Sequence, residues 1–332
     1  MAGFPERFAP LAQPAMPDVT QNPLPAPERP LRLGTRRSPL AMAQAHEARD
    51  RLCKAHEWRE DAVEIVPVLA SGDKVQDRPL AEIGGKALWT KELDGWLIEG
   101  KIDFSVHSMK DVETIRPEQI AIAALLPRAD VRDVLVGASS VAAIPPGARV
   151  GTSAPRRAAQ MLSLRPDLTV VGFRGNVATR LAKLQAGEAD VTLLAAAGLE
   201  RLGETGVGHP LEAAEWLPAP AQGAIGIECR ADDAFVKQAL SAIDHAPTRA
   251  QIMAERELLL ALGGNCHSPI AVWTRGDSEL TMTARLYSPD GLVKVEGEAT
   301  FSANSDGASV LARRLLADAP EAVAVHFAGP PA

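Results

Sequence analysis

Leu31-Arg32-Leu33-Gly34-Thr35-Arg36-Arg37-Ser38-Pro39-Leu40-Ala41 is the stretch that decides the fold class. Leu31–Thr35 is a short apolar run of strand type, Arg36-Arg37-Ser38 is a polar loop, and Pro39 opens a helical pattern that continues to Lys54. Proline suits a first helical position, because the amide it lacks would have no partner there. The same order recurs further along. Val63–Leu69 is short and β-branched, as a buried strand is, and a helix over Trp89–Ile98 and a strand over Phe104–His107 follow. The alternation resumes with strands at Arg149–Ser153, Thr169–Phe173 and Asp190–Ala196, separated by helices from Pro155 and Val177. Alternating β and α units predict largely parallel sheets with helices on both faces. Two such series, joined near Leu125–Asp133, predict two similar α/β lobes with a ligand beyond the carboxyl ends of the strands.

Outside these series the texture changes. Met1 to Pro30 is crowded with proline, which fixes φ and lacks an amide donor, so a disordered extension is expected there. Beyond Ala246 a helix (Gln251–Leu262) stops at Gly263-Gly264, and strands follow at Ile270–Thr274, Glu279–Tyr287 and Val293–Phe301, with a turn at Pro289-Asp290-Gly291. A helix at Ala308–Ala317 and a strand at Ala322–His326 complete a small α+β unit.

With 332 residues, 46% of them hydrophobic, the chain can bury more than one core. A formal charge of −7 argues against a general nucleic-acid binder. No apolar run approaches the ~20 residues that span a bilayer, and the N-terminus lacks a signal pattern. The three cysteines, Cys53, Cys229 and Cys266, form no C-x-x-C pair and fit a reducing compartment. A cytoplasmic location without membrane or nucleic-acid partners is the expectation.

Arginines gather where strands run into helices: Arg36-Arg37-Ser38, Ser153-Ala154-Pro155-Arg156-Arg157, and Arg174-Gly175-Asn176 with Arg180 a turn later. Helix N-termini there offer free N–H groups, and guanidinium forks pair with carboxylates or phosphates. One such arginine reads equally well as a solvated surface charge; three loops together favour an anion site. Neither a P-loop nor a G-x-G-x-x-G string is present, so no nucleotide is indicated. Val106-His107-Ser108-Met109-Lys110-Asp111 closes a strand with several ionisable groups, and Asp111 suits proton transfer or stabilisation of a cation. The polar stretch 71–77 leading to Gly84-Gly85-Lys86 reads as a lid or an ordinary loop. Cys266, on the glycine-rich loop after Gly263-Gly264, is a candidate covalent attachment point; zinc is not indicated, because no second ligand pair is spaced for it. Cys53 and Cys229 read as structural.

These strings together resemble the porphobilinogen deaminases, also called hydroxymethylbilane synthases. The resemblance runs from about Leu31 to the C-terminal region. It rests on Gly34–Ala41, Gly84-Gly85-Lys86, Val106–Asp111, Arg156-Arg157, Arg174-Gly175-Asn176, Ala221-Gln222-Gly223-Ala224 and Gly264-Asn265-Cys266. It implies two periplasmic-binding-protein-like lobes with mainly parallel sheets and a smaller α+β C-terminal domain. The divisions would be an extension over 1–30, a first domain over 31–125 and 222–241, a second over 130–218, and a cofactor-bearing third over 246–332. The implied cofactor is dipyrromethane, joined by a thioether to Cys266 and contacted by Lys86, Ser108, Lys110, Ser153, Arg156 and Arg157. Arg36, Ser38, Arg174 and Arg180 would hold substrate carboxylates. The implied reaction condenses four porphobilinogen molecules on that primer, with loss of ammonia, and then releases hydroxymethylbilane by hydrolysis. Asp111 would assist ammonia's departure, stabilise the azafulvene-like cation and help remove the proton after coupling. A monomeric transferase of porphyrin and heme biosynthesis, without a metal, is implied.

This chain departs from the family pattern at Ala154-Pro155, at Asn265 and at Trp89, none of which removes a catalytic group. The alternative is a non-enzymatic two-lobed binding protein for a small anion, which would need neither Asp111 nor Cys266. A different acyl or phosphoryl transferase with Cys266 as nucleophile lacks an obvious base.

Overall fold

The computed structural model describes residues 23–68, 90–265 and 267–329. Its first part comprises β1 (Leu31–Arg36), α1 (Pro39–His56), β2 (Val63–Val68), α2 (Lys91–Ile98), β3 (Phe104–Ser108) and β4 (Ile120–Leu125). There follow β5 (Asp133–Val136), β6 (Arg149–Gly151), α3 (Pro155–Leu164), β7 (Thr169–Val171), α4 (Val177–Gln185), β8 (Val191–Ala195), α5 (Ala196–Arg201) and β9 (His209–Pro210). The chain continues with β10 (Ile225–Arg230), α6 (Ala234–Ser241), α7 (Ala246–Leu262), β11 (Ile270–Gly276), β12 (Glu279–Tyr287), β13 (Lys294–Ser302), α8 (Gly307–Asp318) and α9 (Glu321–Ala324).

The strands form two five-stranded sheets, ordered β2-β1-β3-β10-β4 and β7-β6-β8-β5-β9, and a three-stranded antiparallel sheet, β11-β12-β13. In the first sheet only β10 runs against its neighbours, and in the second only β5 does. The lobes are therefore mainly parallel in direction, each with one reversed strand. Buried Leu33, Phe104, Ile225 and Ile227 join α1 residues Ala45, Ala48 and Leu52 in the first core. Leu135, Val150, Met161, Val191 and Leu193 fill the second. The third core sets Leu258 and Leu262 of α7 and Leu311 and Leu315 of α8 against Leu280, Met282 and Leu286.

Three expectations change. The run Ala322–His326 is not a strand but continues from α9. Pro320 starts the turn at φ −60° and ψ 155°. Val323 (0% exposed) and Phe327 (5%), four residues apart, enter the third core, whereas Val325 is 66% exposed. A strand would put all three on one face. Strands β4 and β5 flank the junction near Leu125–Asp133, where the sequence pattern predicts no strand. Ala-rich Ile120–Leu125 carries no period that separates strand from helix. Finally, residues 23–30 form no helix or strand, yet they are held to the first lobe. Leu24 N donates to His56 Nδ1 (3.1 Å), Trp58 Nε1 donates to Leu24 O (2.9 Å), and Arg29 forks onto Asp103 at 2.7 and 2.8 Å. The expectation for residues 1–22 lies outside the described residues.

Two segments, 126–132 and 219–224, pass between the lobes, and one α7 carboxylate grips both. Glu255, fully buried, accepts from Arg128 at 2.9 and 3.1 Å, from Ala221 N at 2.5 Å and from Thr274 N at 3.2 Å. Gly223 (φ 85°) lies against Ala129, where a Cβ would meet the carbonyl oxygen, so glycine is required there.

Candidate active site

The site lies where the carboxyl ends of both sheets meet, as parallel topology dictates. From the first lobe, β1 delivers Arg36, and Ser38 caps α1 by accepting Ala41 N at 3.3 Å, which leaves its hydroxyl proton to donate. Strand β3 delivers Ser108, whose Oγ accepts Gln44 Nε2 at 2.8 Å, and then breaks into the 3-10 turn Met109–Asp111. Met109 (1% exposed) and Val112 (7%) anchor that turn in the core and leave Lys110 and Asp111 half-buried between them. A cleft is lined by Arg36, Ser38, Gln44, Thr90, Ser108 and Asp111, among others.

His107, in the same string, lines the same cleft, but its ring is already engaged by protein partners. It is buried with Nε2 2.9 Å from Ser105 Oγ and 3.3 Å from Glu228 Oε2. Burial, with Arg116 and Arg36 adding to it, pulls its pKa down to about 4, so it is neutral. Arg116 ties the network beneath the site, donating to Glu228 at 2.8 and 2.9 Å and to Asp94 at 2.5 Å. Burial opposes the Arg116 charge, but Glu228 and Asp94 outweigh it and hold its pKa above the usual arginine range.

From the second lobe, Arg156 and Arg157 start α3, whose cap Ala154 makes no side-chain hydrogen bond and whose first turn holds Pro155. The missing cap hydroxyl is thus a real departure, while the proline fits its position. Neither guanidinium is an open surface fork. Both are buried on Asp133, Arg156 Nη2 at 2.8 Å and Arg157 Nη2 at 2.7 Å. Trp216 Nε1 (2.8 Å) and Gln222 Nε2 (2.9 Å) also donate to this carboxylate. Burial opposes ionisation of Asp133, but the two arginines outweigh it and hold the carboxyl far below its usual range. Sequence reading missed Asp133 because a lone acid opening a β-strand carries no local signal; only the tertiary fold sets two arginines on it. Arg156 Nε and Gln222 Oε1 remain buried without a partner. Ser153 is exposed at the same strand end, Arg174 is half-buried after β7, and Arg180 Nε donates to Gly175 O at 3.0 Å.

The two lobes face each other electrostatically. Lys110, set deep among protein atoms although part of its surface is open, is pulled down to about 8. Burial is the main cause, and Arg157 and Arg156 oppose its charge while Asp111 and Asp133 favour it. Arg180 is drawn down to about 10, first by burial and then by Arg157, with Asp111 and Asp133 acting the other way. Five cations (Arg36, Lys110, Arg156, Arg157, Arg180) are thus linked to two carboxylates, Asp111 and Asp133. Lys110, Arg156 and Arg180, whose charges burial opposes, gain from a bound anion. That donor set fits a multiply carboxylated ligand such as a dipyrromethane.

Lys86 and Cys266, with Trp89 and the stretch 71–86, lie outside the described residues. Around position 266, Asn265 Oδ1 accepts His267 N at 2.8 Å and Ser268 Oγ accepts Asn265 N at 3.0 Å. Cys53 and Cys229 are buried, and burial pushes both thiols up, Cys229 to about 12. Among the described residues no group of three His, Cys, Asp or Glu could hold a metal, and no helix is long and apolar enough to cross a membrane.

Two α/β lobes whose cations surround Asp111 and Asp133, with a third domain gripping the inter-lobe segments, define a class of two-lobed α/β protein with an added C-terminal domain. A family model described as "Porphobilinogen deaminase, dipyromethane cofactor binding domain" matches residues 31–238, and one described as "Porphobilinogen deaminase, C-terminal domain" matches 250–319. The porphobilinogen deaminase of Sphingopyxis alaskensis is 54% identical, over 92% of this chain and 99% of its own. That of Paracoccus denitrificans is 48% identical, over 90% and 97%. The chain belongs to the porphobilinogen deaminase family, and the purely non-enzymatic alternative is not favoured. Among solved structures, a Salmonella typhimurium periplasmic binding protein of high arginine specificity overlays 69% of this chain and 97% of its own. Its identity of 13% and TM-score of 0.36 are too low to bear on function.

Proposed function

We propose that this chain condenses four porphobilinogen molecules head to tail, with loss of ammonia, on a dipyrromethane primer attached to Cys266, and then releases hydroxymethylbilane by hydrolysis. The observation that carries the reading is Asp111 standing in the cleft among an excess of half-desolvated cations, in a chain of this family. When bound, the primer supplies a nucleophilic pyrrole carbon. The chain's own groups do the rest. Arg36, Ser38, Arg174 and Arg180 hold the acetate and propionate groups of incoming substrate. Lys86, Ser108, Lys110, Ser153, Arg156 and Arg157 hold those of the primer, the last two through N–H groups that Asp133 and the carbonyls of Leu217 and Leu193 do not saturate. The Asp111 carboxylate faces the cation that forms as ammonia leaves the substrate, then takes the proton lost after coupling.

The domain division that goes with this is 31–125 with 222–241, then 130–218, then 246–332. It is supported by the sheets, since β1–β4 and β10 share one, β5–β9 another and β11–β13 the third. A cytoplasmic monomer without metal is the companion reading. The test is the intact mass of purified protein beside Cys266→Ser: an added mass of two deaminated porphobilinogen units is expected, absent in the variant. An unmodified mass that stays unchanged after incubation with porphobilinogen would sink the proposal. In parallel, Asp111→Asn is expected to bind substrate and turn over very slowly; near-normal rates would remove Asp111 from the chemistry.

A further inference from the structure

The turn bearing Lys110 and Asp111 stands on α7. Met109 and Val112, which flank the pair, are buried in a cluster that includes Ile252 of that helix. Arg256, one turn further along the same face, is 3% exposed and reaches the next three peptide groups. Its Nη1 donates to Val112 O at 3.4 Å, and its Nη2 donates to Glu113 O at 2.6 Å and to Thr114 O at 3.0 Å. No carboxylate hydrogen-bonds this guanidinium among the contacts of the described residues. Glu228 favours its charge from a distance, Arg116 opposes it, and burial draws it down to about 10. A buried charge resting on carbonyls is an expensive way to fill space, and a Met would fill it more cheaply. What only a planar fork can do is fix consecutive peptide groups at once.

The other end of the same helix leads through Gly263 (φ 66°) and Gly264 toward Cys266, and Thr114 Oγ1 donates to Gly264 O at 3.4 Å. One rigid helix therefore holds both the exit of the Asp111 turn and the start of the cysteine loop.

We propose that Arg256 is a positioning residue for the condensation: its grip on the 112–114 carbonyls sets where Asp111 stands relative to the loop that carries Cys266. The proposal rests on the reading of Asp111 given above. It acts through Asp111 and touches no substrate, so its loss lowers turnover and leaves binding almost as it was. A misplacement of about 1 Å costs on the order of 100-fold in rate.

The test uses holoenzyme of Arg256→Lys, Asp111→Asn and the double variant, with adduct-bearing chains counted by intact mass and kcat and KM expressed per such chain. Arg256→Lys keeps the charge and loses the fork. We expect its kcat to fall about 10- to 100-fold, with KM within threefold, and the double variant to be no slower than Asp111→Asn alone. Unchanged kcat per adduct-bearing chain in Arg256→Lys overturns the proposal. So does a double variant in which the two losses multiply, because a merely structural defect would combine independently. A near-normal Asp111→Asn would instead defeat the Asp111 reading, and this inference with it; a slow Asp111→Asn beside a fast Arg256→Lys defeats the positioning role alone.

Discussion

Replacing Asp133 by asparagine tests the hub on which the second lobe's site arginines are built. The carboxylate is fully buried and accepts five side-chain hydrogen bonds: Arg156 Nη2, Arg157 Nε and Nη2, Trp216 Nε1 and Gln222 Nε2. Asparagine removes the charge facing two buried guanidiniums and turns an amide donor toward donors. Breaking a buried ion pair by removing one partner costs about 3–5 kcal/mol. At about 2–4 °C per kcal/mol for a unit of this size, the midpoint should fall by about 6–20 °C. The pH dependence follows from the lowered carboxyl. Its stabilisation is fully present above the unfolded-state value of about 3.9 and is lost as pH falls through the lower folded value. The gap between wild type and Asp133→Asn should therefore stay constant from pH 8 to about 4 and close only below that. Urea unfolding followed by far-ultraviolet circular dichroism reads this. A gap under about 1 kcal/mol, or one that narrows between pH 7 and 5, would refute the argument that Asp133 compensates both arginines.

Other predictions test separate features. In Gly226→Ala the new Cβ would collide with Met109 Sδ, so the side chain that seats the Asp111 turn must give way. Turnover should fall together with about 1–3 kcal/mol of stability, and a variant with unaltered kcat would show that the turn does not depend on the Met109 seat. Since Lys110 loses its proton near pH 8 in the free protein, the porphobilinogen concentration needed to load the primer onto apo-protein, read by intact mass, should rise as pH passes from 8 to 9. Lys110→Arg should flatten that rise, and the same profile in both proteins would exclude Lys110 from carboxylate binding. Val323→Ala should cost about 1.5–3 kcal/mol and Val325→Ala under about 0.5 kcal/mol; equal costs in thermal melts would contradict the helix over Glu321–Ala324.

What the sequence made legible follows how local each signal is. The Leu31–Ala41 stretch carries its strand, its cap and its helix start within eleven positions, so β1, Ser38 and α1 could be read without tertiary knowledge. The same holds for the turn that presents Asp111, which ends a β-strand beside Lys110. Glu279–Tyr287 has the bounds its pattern predicts, because nine residues suited to a sheet are closed by turn residues on both sides. The Ala322–His326 run failed for the opposite reason: Val323, Val325 and Phe327 fit either period, and only the core chose between them. Asp133 and Glu255 failed more deeply. Each is an acid in an otherwise ordinary element, and each takes its role from partners 19 to 127 positions away. Buried charges of this kind are costly unless long-range contacts answer them. Their roles are written in the fold: sequence reading reaches Arg156 and Arg157 before Asp133, and reaches neither Glu255 nor the Arg128 that it holds. That asymmetry also separates the two kinds of residue in the proposed site: those proposed to meet substrate stand at or just after strand ends and announce themselves, whereas those proposed to hold them in place, Asp133 opening a strand and Arg256 within a helix, look like any other polar residue of their elements.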